Sequence, residues 1–179
     1  KKVLGDQNVL TGTDKERYSS DWLGQYRFEP LCVVRPASTE EVSKVVRLAG
    51  SFQVNIVPVG GNTGLNGGTH SDDAISISME RMNKICEIRL NSKIAIVEAG
   101  VILSNLHQLV NENDLMFPLT FGARGSATMG GVLSTNAGGS NVLKYGNTRD
   151  LVLGVEIVLP SGKIMNLMSE LHKDNSGYC

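Results

Sequence analysis

The stretch "PVGGNTGLNGG", residues 58–68, places five glycines and two asparagines directly behind the apolar run "VNIV". Glycine reaches backbone angles other residues avoid, but it costs conformational entropy on folding. A cluster this dense is therefore kept for a reason: either the loop turns very tightly, or something approaches its backbone closely. A second region, "PLTFGARGSATMGGVLSTNAGG" at 118–139, alternates Gly with Ser, Thr, Asn and Ala, and Arg124 is its one charged residue. These glycines are clustered between well-patterned segments, the composition of a ligand cradle rather than of a low-complexity linker.

Composition narrows the partners. The 179 residues suffice for one large domain or two small lobes sharing a core. A formal net charge of -1 gives no basic field for nucleic acid. No apolar run approaches the length of a membrane span, and no signal-peptide pattern is visible. The chain begins at Lys1 rather than Met, so its true N-terminus is expected to lie further upstream. Cys32, Cys86 and Cys179 are odd in number and widely spaced, matching neither a disulfide framework nor a zinc pattern. They read as buried or inert thiols of a reducing compartment.

Local patterning predicts an α+β fold. "LCVVRP" (31–36) reads as a buried strand stopped by Pro36. In "STEEVSKVVRLA", Ser38 and Glu41 have capping-box spacing, and Val42, Val45, Val46 and Ala49 form one helical stripe. "NIVPV" (55–59) is a second strand, completing a βαβ unit whose strands pair in parallel. The first glycine loop opens directly after it, at the strand end where such sheets hold ligands. Beyond it, "AISIS" (74–78), "KICEIRL" (84–90) and "KIAIVEA" (93–99) are short and alternating, and "LSNLHQLVNEN" (103–113) is a helix. "GVEIVL" and "KIMNLM" flank the turn "PSG" (160–162), a hairpin signal. The expected organisation is a small parallel βαβ lobe, residues 1–70, packed on a larger lobe, 71–179, with a mainly antiparallel sheet and flanking helices.

Two familiar phosphate cradles do not fit. A Walker A loop ends in lysine and Ser/Thr, whereas Gly68 is followed by Thr69, His70 and Ser71. A Rossmann fingerprint opens a helix, whereas "THSDDAISIS" leads into a strand. What remains is two loops of unpaired N–H groups closing on a diphosphate from two sides, an anion site needing no cationic side chain.

"PVGGNTGLNGG", "GARGSATMGGVLSTNAGG", "KYGNTRDLVLGVEIVLPSG" and "KDNSGY" together resemble the PCMH-type FAD-binding domain of the vanillyl-alcohol oxidase superfamily. Within it the chain looks most like the D-2-hydroxyacid dehydrogenases, a group that includes D-lactate dehydrogenase, the FAD subunit of glycolate oxidase and D-2-hydroxyglutarate dehydrogenase. "DWLGQYRFEPLCVVRPASTEEV" is similar to their opening segment, so the likeness covers essentially the whole chain. The resemblance implies that Pro58, Gly60, Gly61, Asn62, Thr63, Gly64 and Leu65 wrap the FAD pyrophosphate, with Gly67 and Gly68 closing the turn. Pro118, Gly122 and Ser126 would line the ribityl and isoalloxazine side, and Gly130, Gly131, Asn136 and Gly138 would lie under the flavin. Backbone near Glu156 and Ile157 would hold the adenine end. A Cβ at Gly61 or Gly64 is expected to block the cofactor and leave the fold intact.

Covalent members of the superfamily carry a histidine where this loop has Asn62, and some add a cysteine near Ser126 or Ala127, so FAD is expected to bind non-covalently. The resemblance also implies a small 2-hydroxyacid substrate, hydride transfer to FAD, and reoxidation by an acceptor protein or quinone. The full-length protein would be cytoplasmic, or peripheral to the inner membrane, and able to form homo-oligomers. The residues themselves offer no catalytic base and no metal site: His70, His107 and His172 lack ligand spacing. His107 reads as a boundary residue, His70 as a solvated turn, Arg124, Lys144 and Arg149 as solvated, and Trp22 as packing. Relatives continue beyond "KDNSGYC" into more of the flavin domain and a substrate domain, so the larger lobe is expected to be cut short here. Two other readings stay open at this point. One is an oxidase of the same fold acting on another alcohol, sugar or amine; the other is a nucleotide-binding module without chemistry.

Overall fold

The structure is a computed structural model that describes Lys1–Leu171; "KDNSGY", His172 and Cys179 lie outside the described residues. Its centre is a four-stranded sheet in the order β1 (Val9–Leu10), β2 (Cys32–Val34), β4 (Ala74–Ser78), β3 (Asn55–Val59). β2, β4 and β3 run parallel, and β1 closes the edge antiparallel to β2. The sheet thus takes in residues 74–78, beyond the boundary at 70 expected from the change of rhythm. "AISIS" alternates like an exposed-edge strand, yet Ser76 and Ser78 are fully buried, and the Ser76 hydroxyl donates to Ser71 Oγ at 2.9 Å. Buried hydroxyls need such a partner. A polar alternation therefore hid a central strand.

Helix α1 (Thr39–Ser51) crosses from β2 to β3, as the apolar stripe predicts. Ser38 Oγ accepts the Glu41 N–H at 3.3 Å. The Glu41 carboxylate accepts the N–H of Ala37, at 2.8 Å, one residue before the usual capping-box partner. Val45 packs with Leu4, Val34 and Ile77 in one core cluster. At the carboxyl edge, Tyr18 donates to Glu80 at 2.8 Å, and Arg17 and Arg35 flank the same carboxylate. Burial first, then the bond to Glu80, holds the Tyr18 phenol above its ordinary value.

Outside the central sheet, the antiparallel strand pairs among the described residues form two separate hairpins. β5 (Ile85–Arg89) pairs with β6 (Ile94–Val97), and β7 (Val155–Val158) with β8 (Ile164–Leu167). The first lays Ile85, Ile88, Ala95 and Val97 on a second core built from α2 (Leu103–Asn111) and α3 (Met129–Ser134). The second packs on α1, where Ser43 Oγ and Arg47 Nη2 both donate to the Gly162 carbonyl, at 2.5 and 3.2 Å. A short helix, α4 (Val142–Tyr145), leads into β7. Neither described cysteine is fully buried: Cys32 is half-buried and Cys86 exposed, and both are free thiols. No described helix is long and apolar enough to cross a membrane.

Leu103 is fully buried at the first turn of α2 and belongs to the second core. Leu103→Ala is expected to lower unfolding free energy by about 2–5 kcal/mol in urea titrations, because the cavity cannot close fully.

Candidate functional site

The first glycine loop follows β3 at the carboxyl edge of the parallel sheet, and the second lies against it. A Cβ on Gly61 would fall 1.8 Å from the Ser126 carbonyl oxygen, and one on Gly60 would fall 2.3 Å from Thr128 Oγ1. Glycine at these two positions lets the loops touch. This corrects the expectation for Gly61: a side chain there collides with protein backbone before any ligand is considered. Gly64, Gly68, Gly122 and Gly125 are different. A Cβ on any of them meets nothing within 4 Å, and none has the left-handed backbone that favours glycine. Neither a left-handed backbone nor packing requires glycine there, and the space in front of each is open.

The same loop is rich in unused donors. From Gly61 to Gly68, no backbone N–H donates to a protein acceptor among the described residues. Backbone N–H groups seldom go unpaired unless water or a ligand takes them. A row of such donors, with no acidic side chain from 58 to 71, suits an anion.

Each loop is held from behind. Asn62 has a left-handed backbone, φ 52°, which asparagine tolerates better than most residues. Its side chain turns into the protein: Nδ2 donates to the Ser20 carbonyl at 2.7 Å, and Oδ1 accepts the Thr69 hydroxyl at 2.7 Å. The Tyr26 ring lies under Gly67. His70 is no free turn residue, since it stacks on Phe28 at 5.4 Å and its Nε2 sits 2.9 Å from Asp72. The second loop is pinned by Leu103 N–H on the Ala127 carbonyl (2.9 Å) and Gly130 N–H on the Ala99 carbonyl (2.7 Å). Thr128 caps α3, its Oγ1 accepting from Gly131 N–H at 3.4 Å while the same oxygen abuts Gly60.

The structure brings together only part of the residues expected at the site. Gly60, Gly61, Ser126, Gly130 and Gly131 come together around Thr128, with Asn62, Thr63, Gly64, Leu65, Gly67 and Gly68 continuing the open face. Pro58 is exposed on β3, and the Pro118 carbonyl accepts from Asn141 at 3.0 Å. Asn136, also left-handed at φ 49°, and Gly138 pack on the segment 147–149. There Arg149 N–H donates to Asn136 Oδ1 at 3.0 Å. The Arg149 guanidinium donates to the Leu133 and Ser134 carbonyls, so it caps the end of α3 rather than standing free. Glu156 and Ile157 sit on β7, away from the loop contact. The Glu156 carboxylate accepts from Thr39 Oγ1 (2.6 Å) and Asn166 Nδ2 (3.1 Å).

Sequence reasoning missed Ser20, Thr69 and Thr128. Only Thr128 left a readable signal, a threonine three residues before Gly131 at a helix start. Trp22, expected to pack, is 54% exposed. His107 Nε2 is buried without a hydrogen-bond partner among the described residues, and its ring lies 6.3 Å from Phe117. Arg124 and Lys144 are exposed.

A family model described as FAD binding domain matches residues 30–168. The D-2-hydroxyglutarate dehydrogenase of Xanthomonas citri pv. viticola is 41% identical over 166 residues, 92% of this chain and 35% of that protein. A probable mitochondrial D-2-hydroxyglutarate dehydrogenase of Oryza sativa subsp. indica is 39% identical over 180 residues, 99% of this chain and 32% of that protein. The chain spans about a third of the length of these curated relatives. Among solved structures, 6-hydroxy-D-nicotine oxidase from Arthrobacter nicotinovorans matches with a TM-score of 0.79 at 26% identity, over 90% of this chain and 36% of that one. Open glycines, free backbone donors and an uncharged lining suit the diphosphate of a dinucleotide, and this chain belongs to the family of FAD binding domains.

Proposed function

We propose that this chain is the FAD-binding part of a flavin-dependent dehydrogenase that oxidises a D-2-hydroxyacid to the 2-oxoacid, with D-2-hydroxyglutarate the first substrate to try. The observation that carries the cofactor half of this reading is Gly64. It is exposed, its Cβ direction is empty, its φ is not left-handed, and it sits in a row of unpartnered N–H donors. The substrate half rests on the relatives named above. FAD, when bound, supplies the hydride acceptor, and the protein supplies binding and orientation.

In this reading the N–H groups of residues 61–68 hold the diphosphate, and Gly60 and Gly61 keep the second loop close enough to share it. Pro118, Gly122 and Ser126 line the ribityl side. Gly130, Gly131, Asn136 and Gly138 would lie on the flavin side, and the backbone at Glu156 and Ile157 would hold the adenine end. Attachment is non-covalent: Asn62 stands in the loop with both ends of its amide engaged, and His70 is held by Phe28 and Asp72. The hydroxyl proton and the substrate carboxylate are handled by groups outside these residues. Electrons leave to a protein or quinone acceptor. The unpaired thiols Cys32 and Cys86 suit a reducing compartment, either cytoplasm or mitochondrial matrix.

Gly64→Val in the full-length protein is expected to weaken FAD binding on the order of 100-fold, the worth of one or two charge-assisted bonds. Its apo melting temperature should hardly move, since the added side chain enters open space. Gly61→Val should lose both stability and FAD. Wild-type affinity in Gly64→Val, measured by flavin fluorescence titration, would mean the loop is only a turn. Acid precipitation of the holoprotein should release the yellow colour to the supernatant, and a yellow pellet would show covalent flavin. Turnover of D-2-hydroxyglutarate should exceed that of D-lactate and glycolate in a dye-reduction assay. Equal or reversed preference would remove the substrate assignment.

A further inference from the structure

The segment 19–28 is a tight hairpin that the reading of the glycine loops does not use. Phe28 N–H donates to the Ser19 carbonyl at 3.0 Å, Asp21 N–H to the Tyr26 carbonyl at 3.1 Å, and Gly24 N–H to the Asp21 carbonyl at 3.1 Å. The buried Asp21 carboxylate accepts the Tyr26 N–H at 2.9 Å. Four bonds within so few residues make the hairpin stiff, and the Ser20 carbonyl projects from it as an acceptor fixed in place.

Asn62 takes that acceptor. Its Nδ2 reaches Ser20 across 42 residues of chain at 2.7 Å, and its Oδ1 takes the Thr69 hydroxyl from the far end of the glycine loop, also at 2.7 Å. One amide thus spans three points: the start of the loop, its end, and the hairpin behind it. Tyr26, from the same hairpin, lies under Gly67 and supports the return of the loop. Between Asn62 and Thr69 the loop makes no backbone hydrogen bond of its own through its N–H groups, among the described residues. Among the described residues, the two bonds of Asn62 are the hydrogen bonds that join the ends of the open face, while Tyr26 and Phe28 only pack against its far side. A loop of glycines has many conformations to lose on ordering, so whatever closes it sets how many are left for a ligand to remove.

We infer that Asn62 is a positioning residue for the cofactor diphosphate. Its amide closes the loop on itself and on the 19–28 hairpin, so that the donors of 63–68 are presented already ordered. This rests on the reading of the loop as a diphosphate cradle. The chemistry explains the residue type. The left-handed backbone favours glycine, asparagine and aspartate, and of these only asparagine adds a donor for the Ser20 carbonyl together with an acceptor for the Thr69 hydroxyl.

The test separates backbone angle from amide. Asn62→Gly keeps the left-handed φ and removes both bonds. Thr69→Val removes one bond without touching Asn62, and Thr69→Ser restores the hydroxyl. In full-length apoprotein titrated with FAD, Asn62→Gly and Thr69→Val are each expected to bind about tenfold more weakly, and Thr69→Ser as the wild type. Apo melting temperatures should be unchanged throughout. Wild-type affinity in both Asn62→Gly and Thr69→Val would overturn the clamp, as would a parallel fall in apo stability or a failure of Thr69→Ser to rescue. Gly64→Val in the same titration tells the two ideas apart. If it loses FAD while Asn62→Gly keeps it, the cradle stands and the clamp falls. If it keeps FAD, the cradle falls and the clamp with it.

Discussion

Where Gly61 meets Ser126, two backbones pass so closely that a Cβ would sit 1.8 Å from a carbonyl oxygen. Residues distant in sequence, one following the parallel sheet and the other preceding α3, are brought into one site by that contact. Gly60 repeats it against Thr128, and Gly130 fits against Ala99 on the far side. At Gly61 the loops therefore meet backbone to backbone, and at Gly60 the Thr128 hydroxyl takes the space a side chain would need. The two cores then serve to hold the partners of this contact in place: β2, β3, β4 and α1 behind the first loop, α2 and α3 behind the second.

This arrangement divides the glycines by physical role. Those at 60, 61, 130 and 139 are required by crowding, and those at 67, 146 and 162 by a left-handed backbone. Those at 64, 68, 122 and 125 have neither constraint. Glycine without a local reason weakens a loop through the entropy of ordering it, which is what the proposed cofactor role of these positions would explain. A neutral cradle of N–H groups also explains why a chain of net charge -1 can belong to a family that binds a dinucleotide: the donors are backbone and need no lysine.

Much of the fold was legible because its signals are local. The stripe in α1, the strands at 55–59 and 74–78, and the turn at 160–162 came out where periodicity and turn chemistry put them. The pairing of strand 74–78 was not legible. Its serines read as a solvent face, and only the partner Ser71 shows how a central strand buries them. Nor was the work of Asn136 and Arg149 visible, since both act on segments more than ten residues away. The hairpin at 19–28 left only a family likeness, because its role depends on a carbonyl, which every residue has.

By itself the sequence determined the class of the fold, the two glycine loops and the placement of the first directly after a strand. Spacing and composition carry these, because secondary structure and backbone freedom are properties of neighbouring residues. Tertiary structure alone decided which glycine meets protein and which meets open space, that Asn62 turns inward, and that residues 74–78 complete the parallel sheet. The reason is physical: crowding at a Cβ and the partner of a hydrogen bond are set by atoms far away in the chain, and no local pattern records them.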